Sequence, residues 1–386
     1  MQDSIYFLAT HFPRECGIAT FTQDLVMAVA KRYPKLKIKI IAMEKYGDRH
    51  KYPKEVVMKI REDTIEDYIK AAELVNKDKS AKLVNIQHEF GIFGGTYGDY
   101  LLYFLESLKK PVVVAFHSVI PFSKNPDRKR KKLVNKIAKY SGKLISISGY
   151  GVDILTEQYG IDRNKISVIP HGIPDCKGLE KTELKKKHGF LGKKIISTFG
   201  LLSERKGIEY VINALPKILK EHPEVVYLVI GETHPVVKKN EGESYRNKLK
   251  KILKDKKLTD YVIFYNKFFP LDELLSLLKT TDVYITPYFD PFQISSGTLA
   301  YAFGCGISCI STPYLYARDL LREERGILVK FRNSAEIADN VNMLLSDDSL
   351  RERIGKKAYD YSRSWVWSEV AESYMHDFCL LADIRI

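Results

Sequence analysis

The stretch Thr286–Arg318, TPYFDPFQISSGTLAYAFGCGISCISTPYLYAR, decides the fold. The β-branched and aromatic run DVYIT (Asp282–Thr286) leads into it and has the composition of a buried strand. After the polar loop Pro287–Ile294, Ser295, Ser296 and Gly297 open a helix, where a hydroxyl satisfies free backbone N–H groups and the dipole favours an anion. A helix is predicted over Thr298–Phe303. Gly304-Cys305-Gly306 ends it as a cap and turn, and SCIS (Ser308–Ser311) is the next strand. Strand, loop, helix and strand make one βαβ unit, and open parallel sheets bind ligands at the strand carboxyl ends. The plainer alternative is that Gly and Ser here only solve turns.

Reading outward, the same alternation recurs. Strands are predicted at SIYFLA (Ser4–Ala9), Leu36–Ala42, Leu83–Gln87, Val112–Phe116 and Leu144–Ser148. Helices are predicted between them, including Phe21–Arg32 and one opened by a capping box at Asp63-Thr64-Ile65-Glu66. The pattern breaks at SVIPHG (Ser167–Gly172), which reads as a connector rich in Pro and Gly, and then restarts. Strands follow at Ile195–Gly200, Val225–Gly231, Val262–Tyr265 and Ile327–Val329, with helices between and after them. The fold class is therefore α/β, two Rossmann-like doubly wound domains facing a cleft. Residues 1–170 form the first domain and 171–365 the second. A last helix, 366–386, is led by Trp365 and Trp367 and packs back on the first domain.

The composition is that of an ordinary globular chain: 386 residues, 45% hydrophobic and 28% charged. No apolar run approaches membrane-spanning length and no leader pattern opens the chain, so a cytoplasmic protein is expected. Five cysteines at scattered positions show no metal spacing, and reduced thiols are the expectation. A net charge of +14 favours anionic partners. Its densest cluster, KNPDRKRKKLVNKIAK (Lys124–Lys139), reads as an amphipathic helix offering peripheral contact with an acidic membrane surface.

Chemistry concentrates at two turns of the second half. In FGLLSERKGIEYVINAL (Phe199–Leu215), Gly200 ends a strand and Arg205 and Lys206 stand beside a helix start, the makings of a diphosphate pocket. The other turn is Ser295–Thr298. Gly17, in a strand-to-helix turn of the first half, lets a ligand approach the backbone closely. Asp99, Glu89 and Glu15 read as ordinary surface acids, and His11, His88, His171 and His234 as structural histidines. His88-Glu89, in a loop facing the cleft, is also a candidate for acceptor contact.

Three segments carry a specific resemblance: FGLLSERKGIEYVINALP, ITPYFDPFQISSGTLAYAFGCGISCISTPYLYA and RGILVKFRNSAEIADNVNMLL. They resemble the C-terminal half of the retaining glycosyltransferases of family 4, which have the GT-B fold. CGIATFTQDL, VVVAFHSV and VIPHGIP resemble that family's glycine loop, strand-end histidine and interdomain connector. The resemblance implies that Lys206 holds the donor diphosphate with help from Arg205, that Gly17 lies beside it, and that His117 is near the donor sugar. Leu201 stands where the family often has arginine.

The family's Glu-x7-Glu motif is absent. One alignment puts Gln293 and Tyr301 at its two positions, and another puts Asp290 and Thr298 there. By the first, Gln293 takes the sugar-binding place, while Ser295, Ser296, Gly297 and Thr298 contact phosphate and Tyr301 packs. The implied reaction is retaining transfer of a hexose, mannose or glucose, from a donor such as GDP-mannose or UDP-glucose to a carbohydrate or glycolipid acceptor. It needs no cofactor. No Asp-x-Asp is present, so no metal is expected and cations neutralise the leaving diphosphate. Competing readings are a sugar phosphorylase or nucleotide-sugar epimerase on the same fold, and a basic nucleic-acid or membrane-binding protein. The basic residues are periodic on helices rather than interleaved with aromatics, so no nucleic-acid partner is expected. Oligomeric state is not legible.

Overall fold

The computed structural model describes every residue except Met1, Tyr46, Arg49 and Ile386, so the outermost ends of the two expected terminal segments lie outside it. The chain divides into two compact units. The first holds Met1–Gly172, Gln293–Ser295 and Trp365–Ile386, and the second holds Ile173–Phe292 and Ser296–Ser364.

Among the described residues the first unit has seven strands: β1 (Ser4–Ala9), β2 (Lys37–Glu44), β3 (Val56–Arg61), β4 (Ala81–His88), β5 (Val112–Phe116), β6 (Lys143–Ser146) and β7 (Ile166–Val168). All pair in parallel, in the order β3-β2-β1-β4-β5-β6-β7. Parallel strands need helical crossovers on both faces, which is why VVVAF of β5 is buried at every position. The chain runs outward from β1 to β3 and then returns to β4, so its order reverses between β1 and β4. Such a switch point leaves a crevice outside the strand carboxyl ends.

The second unit repeats the plan. Its strands are β8 (Lys194–Phe199), β9 (Val225–Ile230), β10 (Val262–Tyr265), β11 (Val283–Thr286), β12 (Ser308–Ser311) and β13 (Ile327–Leu328). Their order is β10-β9-β8-β11-β12-β13, with the switch between β8 and β11. The helix Ile208–Glu221 buries Val211, Ile212, Leu215 and Ile218 at helical spacing, and they join the core beside Val229, Ile285 and Val341.

Several expectations need correction. The strand β3 was not foreseen, nor were β7 and the short helices Lys181–Lys187, Pro235–Glu241 and Leu315–Leu320. The first helix begins at Gly17 rather than Phe21, capped by the Cys16 sulfur. The capping box at Asp63–Glu66 does not form. Thr64 is the N-cap and its side chain makes no cap bond. Asp67, three residues on, instead takes a fork from Arg61 at 2.7 and 2.8 Å. The reduced-thiol expectation fails for one pair, since Cys176 and Cys305 are bonded, with Cα atoms 5.4 Å apart across 129 residues of sequence.

Candidate functional site

In the second unit the loops after β8 and β11 flank the switch point and are locked to each other. Gly200 follows β8 at φ 127°, where a side chain would be strained, and a Cβ there would lie 3.0 Å from Thr298 Cγ2. Gly207 adopts the left-handed conformation (φ 63°, ψ 26°), and a Cβ on it would run into the Pro287 carbonyl and the Phe289 ring. The Phe289 N–H donates to the Arg205 carbonyl at 3.1 Å. Sequence-distant turns are thereby brought into one place.

Side chains complete the link. The Lys206 ammonium lies 3.9 Å from the centroid of the Tyr288 ring, a cation–π contact. Tyr288 is buried, stacks on Tyr314, and its hydroxyl shares a 2.8 Å hydrogen bond with Thr298 Oγ1. Ser296 caps the helix Gly297–Gly304, accepting the Leu299 N–H at 3.3 Å. Lys206 and the Ser296–Thr298 turn thus meet through Tyr288, a residue the sequence reading did not single out. Arg205 is exposed beside them. The helix that starts after Gly207 has its first N–H taken by the Tyr245 hydroxyl at 3.0 Å, so its terminus is less open than the sequence suggests. Asp290 spends Oδ1 on the Phe292 N–H, closing a local turn. Tyr301 is buried with its ring 6.3 Å from that of Phe199. A small cavity lined by Lys181, Lys279, Asp282 and Arg351 lies where β11 and β12 begin, at the opposite end of the sheet.

In the first unit His117 follows β5, and its buried Nε2 lies 2.8 Å from Gln87 Oε1. The Gln87 amide nitrogen donates to Asn85 Oδ1, so its oxygen is left to accept. His117 therefore carries its proton on Nε2, and Nδ1 is its acceptor. Burial pushes its pKa down to about 3, helped by His171 and His88, so the ring is neutral near pH 7. Gly17 starts the first helix, and a Cβ there would meet nothing within 4 Å.

Gln293 and Ser295 count with the first unit. The Ser295 hydroxyl donates to the His117 carbonyl at 2.7 Å, and the Gln293 amide nitrogen donates to the Ser295 carbonyl at 2.6 Å. Ser295 is thus spent on protein, while Gln293 keeps its amide oxygen. Two first-half readings change. His88 ends β4 fully buried among Phe90, Phe93 and Phe116, not in a loop. Glu89 is part-buried rather than on the open surface, and burial raises its pKa, partly offset by bonds from Ser118 and Phe90. Among the described residues no group of three metal-ligand side chains comes together, and no helix is long and apolar enough to cross a membrane.

Comparison with known proteins follows the two units. A family model described as glycosyl transferases group 1 matches residues 180–361, and one described as glycosyltransferase family 4 matches residues 20–175. A spore coat protein SA of Bacillus subtilis is 27% identical over 60% of this chain and 63% of its own length. An uncharacterized glycosyltransferase of Methanocaldococcus jannaschii is 26% identical over 65% of this chain and 61% of its own. The chain thus spans about six tenths of the length of these two relatives. Among solved structures, Anabaena HepE in complex with UDP superposes with TM-score 0.77 at 16% identity, covering 98% of this chain and all of that one. Sucrose-phosphate synthase of Thermosynechococcus elongatus gives 0.78 at 15% identity, covering 98% and 99%. At such identities the likeness shows the fold alone: two parallel-sheet α/β units with GT-B neighbours. The family matches support a glycosyltransferase of group 1.

Proposed function

We propose that this group 1 glycosyltransferase moves a hexose from a nucleotide sugar to a hydroxyl of a carbohydrate or related acceptor, with retention. The observation that carries the reading is the convergence of Lys206 on the Ser296–Thr298 turn through Tyr288 at the β8/β11 switch point. A cation and a capped helix start at strand carboxyl ends suit a diphosphate. Neighbours on the same fold were solved with UDP and with UDP-glucose, which supports a nucleotide-sugar donor here. The base, the hexose (glucose or mannose) and the acceptor are for experiment to assign.

In this reading Lys206 neutralises the leaving diphosphate, with Arg205 beside it, and Ser296, Gly297 and Thr298 supply hydroxyl and backbone donors. His117 and Gln293 address the hexose, His117 as a neutral ring. Losing one preorganised donor of such charge typically costs roughly 3–4 kcal/mol of transition-state stabilisation. No divalent metal takes part.

A thermal-shift screen over UDP, GDP and ADP sugars tests the donor class, because a ligand that binds the folded chain raises its melting point. Lys206→Ala is expected to weaken binding of the selected nucleotide about tenfold or more, ~1.4 kcal/mol. Unchanged affinity in that variant removes Lys206 from the diphosphate. Donor turnover measured in EDTA and with added magnesium or manganese tests the metal-free mechanism. Equal rates are expected. Activity lost in chelator and restored by either ion defeats it.

A further inference from the structure

Among the described residues no carboxylate pairs with Lys206, and the acids nearest to it in sequence are spent elsewhere. Glu204 pairs with Lys248 at 3.1 Å, and Glu209 accepts the Tyr245 hydroxyl at 2.5 Å. The partner that the fold gives Lys206 is the ring of Tyr288, with 3.9 Å between ammonium and centroid. Ordering a loose lysine costs rotamer freedom when a ligand binds, and a partner that fixes the side chain beforehand removes that cost. A carboxylate would do so at the expense of the charge, because an ion pair neutralises the ammonium before any anion arrives. An aromatic face holds it through the ring quadrupole and leaves the charge and N–H donors for an incoming phosphate.

The ring is itself fixed. Tyr288 is 1% exposed and lies on Tyr314 with the two planes 15° apart. Its hydroxyl is bonded to Thr298 Oγ1, and its carbonyl accepts the Thr312 hydroxyl at 2.6 Å. The preceding carbonyl, that of Pro287, packs so closely on Gly207 that a Cβ there would lie 2.2 Å from it. Side chain and backbone of the loop after β11 therefore locate Lys206 together, and all of these contacts lie within the second unit.

We propose that Tyr288 is a positioning residue for the donor diphosphate: its ring holds the Lys206 ammonium ready at the Ser296–Thr298 turn with the charge unneutralised. The proposal rests on the glycosyltransferase reading and adds to it the group that sets the cation in place. Tyr288 acts on the diphosphate through Lys206.

The test follows the affinity of the full chain for UDP, GDP and ADP by titration calorimetry, with thermal melting as the check on folding. Tyr288→Phe keeps the ring and loses the bond to Thr298, and it is expected to bind the selected nucleotide within about twofold of wild type. Phenylalanines with one, two and three ring fluorines at position 288 keep nearly that shape while draining negative charge from the ring face. Affinity is expected to fall stepwise along this series, reaching about fivefold below Tyr288→Phe. In a Lys206→Ala background the same series is expected to be flat, because the cation is gone. A series that is flat with Lys206 present overturns the proposal. So does an equal fall in both backgrounds, which would assign the effect to packing of the ring. A loss in Tyr288→Phe as large as in the most fluorinated variant also overturns it, since the hydroxyl would then be the acting group. If the wild type binds none of the three nucleotides, the donor reading itself falls, and this inference with it.

Discussion

His88, His117 and His171 are held uncharged by burial, at pKa values of about 3, 3 and 4. Each is lowered, so below the ordinary value of 6.5 the unfolded chain takes up protons that the folded chain refuses. Stability must then fall as pH drops from about 6.5 towards those values, by about 1.4 kcal/mol per pH unit for each histidine. His88 allows a clean test, because both its nitrogens lack partners and its neighbours are phenylalanine rings. His88→Phe is expected to match or exceed wild-type stability near neutrality and to gain on it at about pH 5. Urea midpoints at the two pH values decide it, and parallel losses in both proteins would mean that His88 is not the group titrating. The sequence placed His88 in an open loop, since nothing in QHEFGIF says that three rings close over one imidazole.

At the scale of elements, what decides legibility is whether burial is uniform. Strands hidden on both faces, such as VVVAF and VYIT, declare themselves by composition. Their boundaries come within a residue or two, because parallel pairing forces an apolar run. The edge strand β3, VVMKIR, alternates exposed and part-buried side chains and follows a charged, Pro-containing segment, so it carries little signal. Helix Lys181–Lys187 buries nothing, so it left no apolar pattern and was not foreseen. The Cys176–Cys305 bond could not be read at all, since spacing over 129 residues carries no geometry. Helix Ile65–Lys77 shows how one polar signal can stand in for another. Its start is held by the Arg61–Asp67 fork rather than by a box, and that hydrogen bond, against some burial, lowers the Asp67 pKa from 3.8. A lowered carboxylate stabilises fully above its unfolded value, and the gain is lost as pH falls through the folded one. Asp67→Asn is therefore expected to be less stable than wild type at neutral pH, with the difference closing as the solution is acidified below about pH 4. A pH series of melting curves checks this, and a constant difference would assign the effect to packing.

At the scale of the molecule, the first unit is discontinuous in sequence. Its sheet lies in the first 172 residues, and one of its covering helices, Trp367–Leu381, comes from the far end of the chain. That helix buries Val370, Tyr374, Met375 and Phe378, with Trp367 and Tyr374 against Phe21 and Phe378 against Phe7. Each large apolar side chain so buried is worth roughly 1.5–3 kcal/mol. Losing the helix would erase most of a typical margin of about 5–15 kcal/mol. A chain ending at Ser364 is expected to keep a cooperative second unit and lose that of the first. Two calorimetric transitions reduced to one would show it, and two surviving transitions would refute it.

The same discontinuity sets an order of events during synthesis. A ribosome delivers the seven strands first, yet leaves Phe7 and Phe21 uncovered until the last helix emerges. Residues 173–364 can meanwhile close around their own core. The half made first is thus the half finished last, and nascent chains arrested near residue 364 should resist protease in their later half and yield in their earlier one.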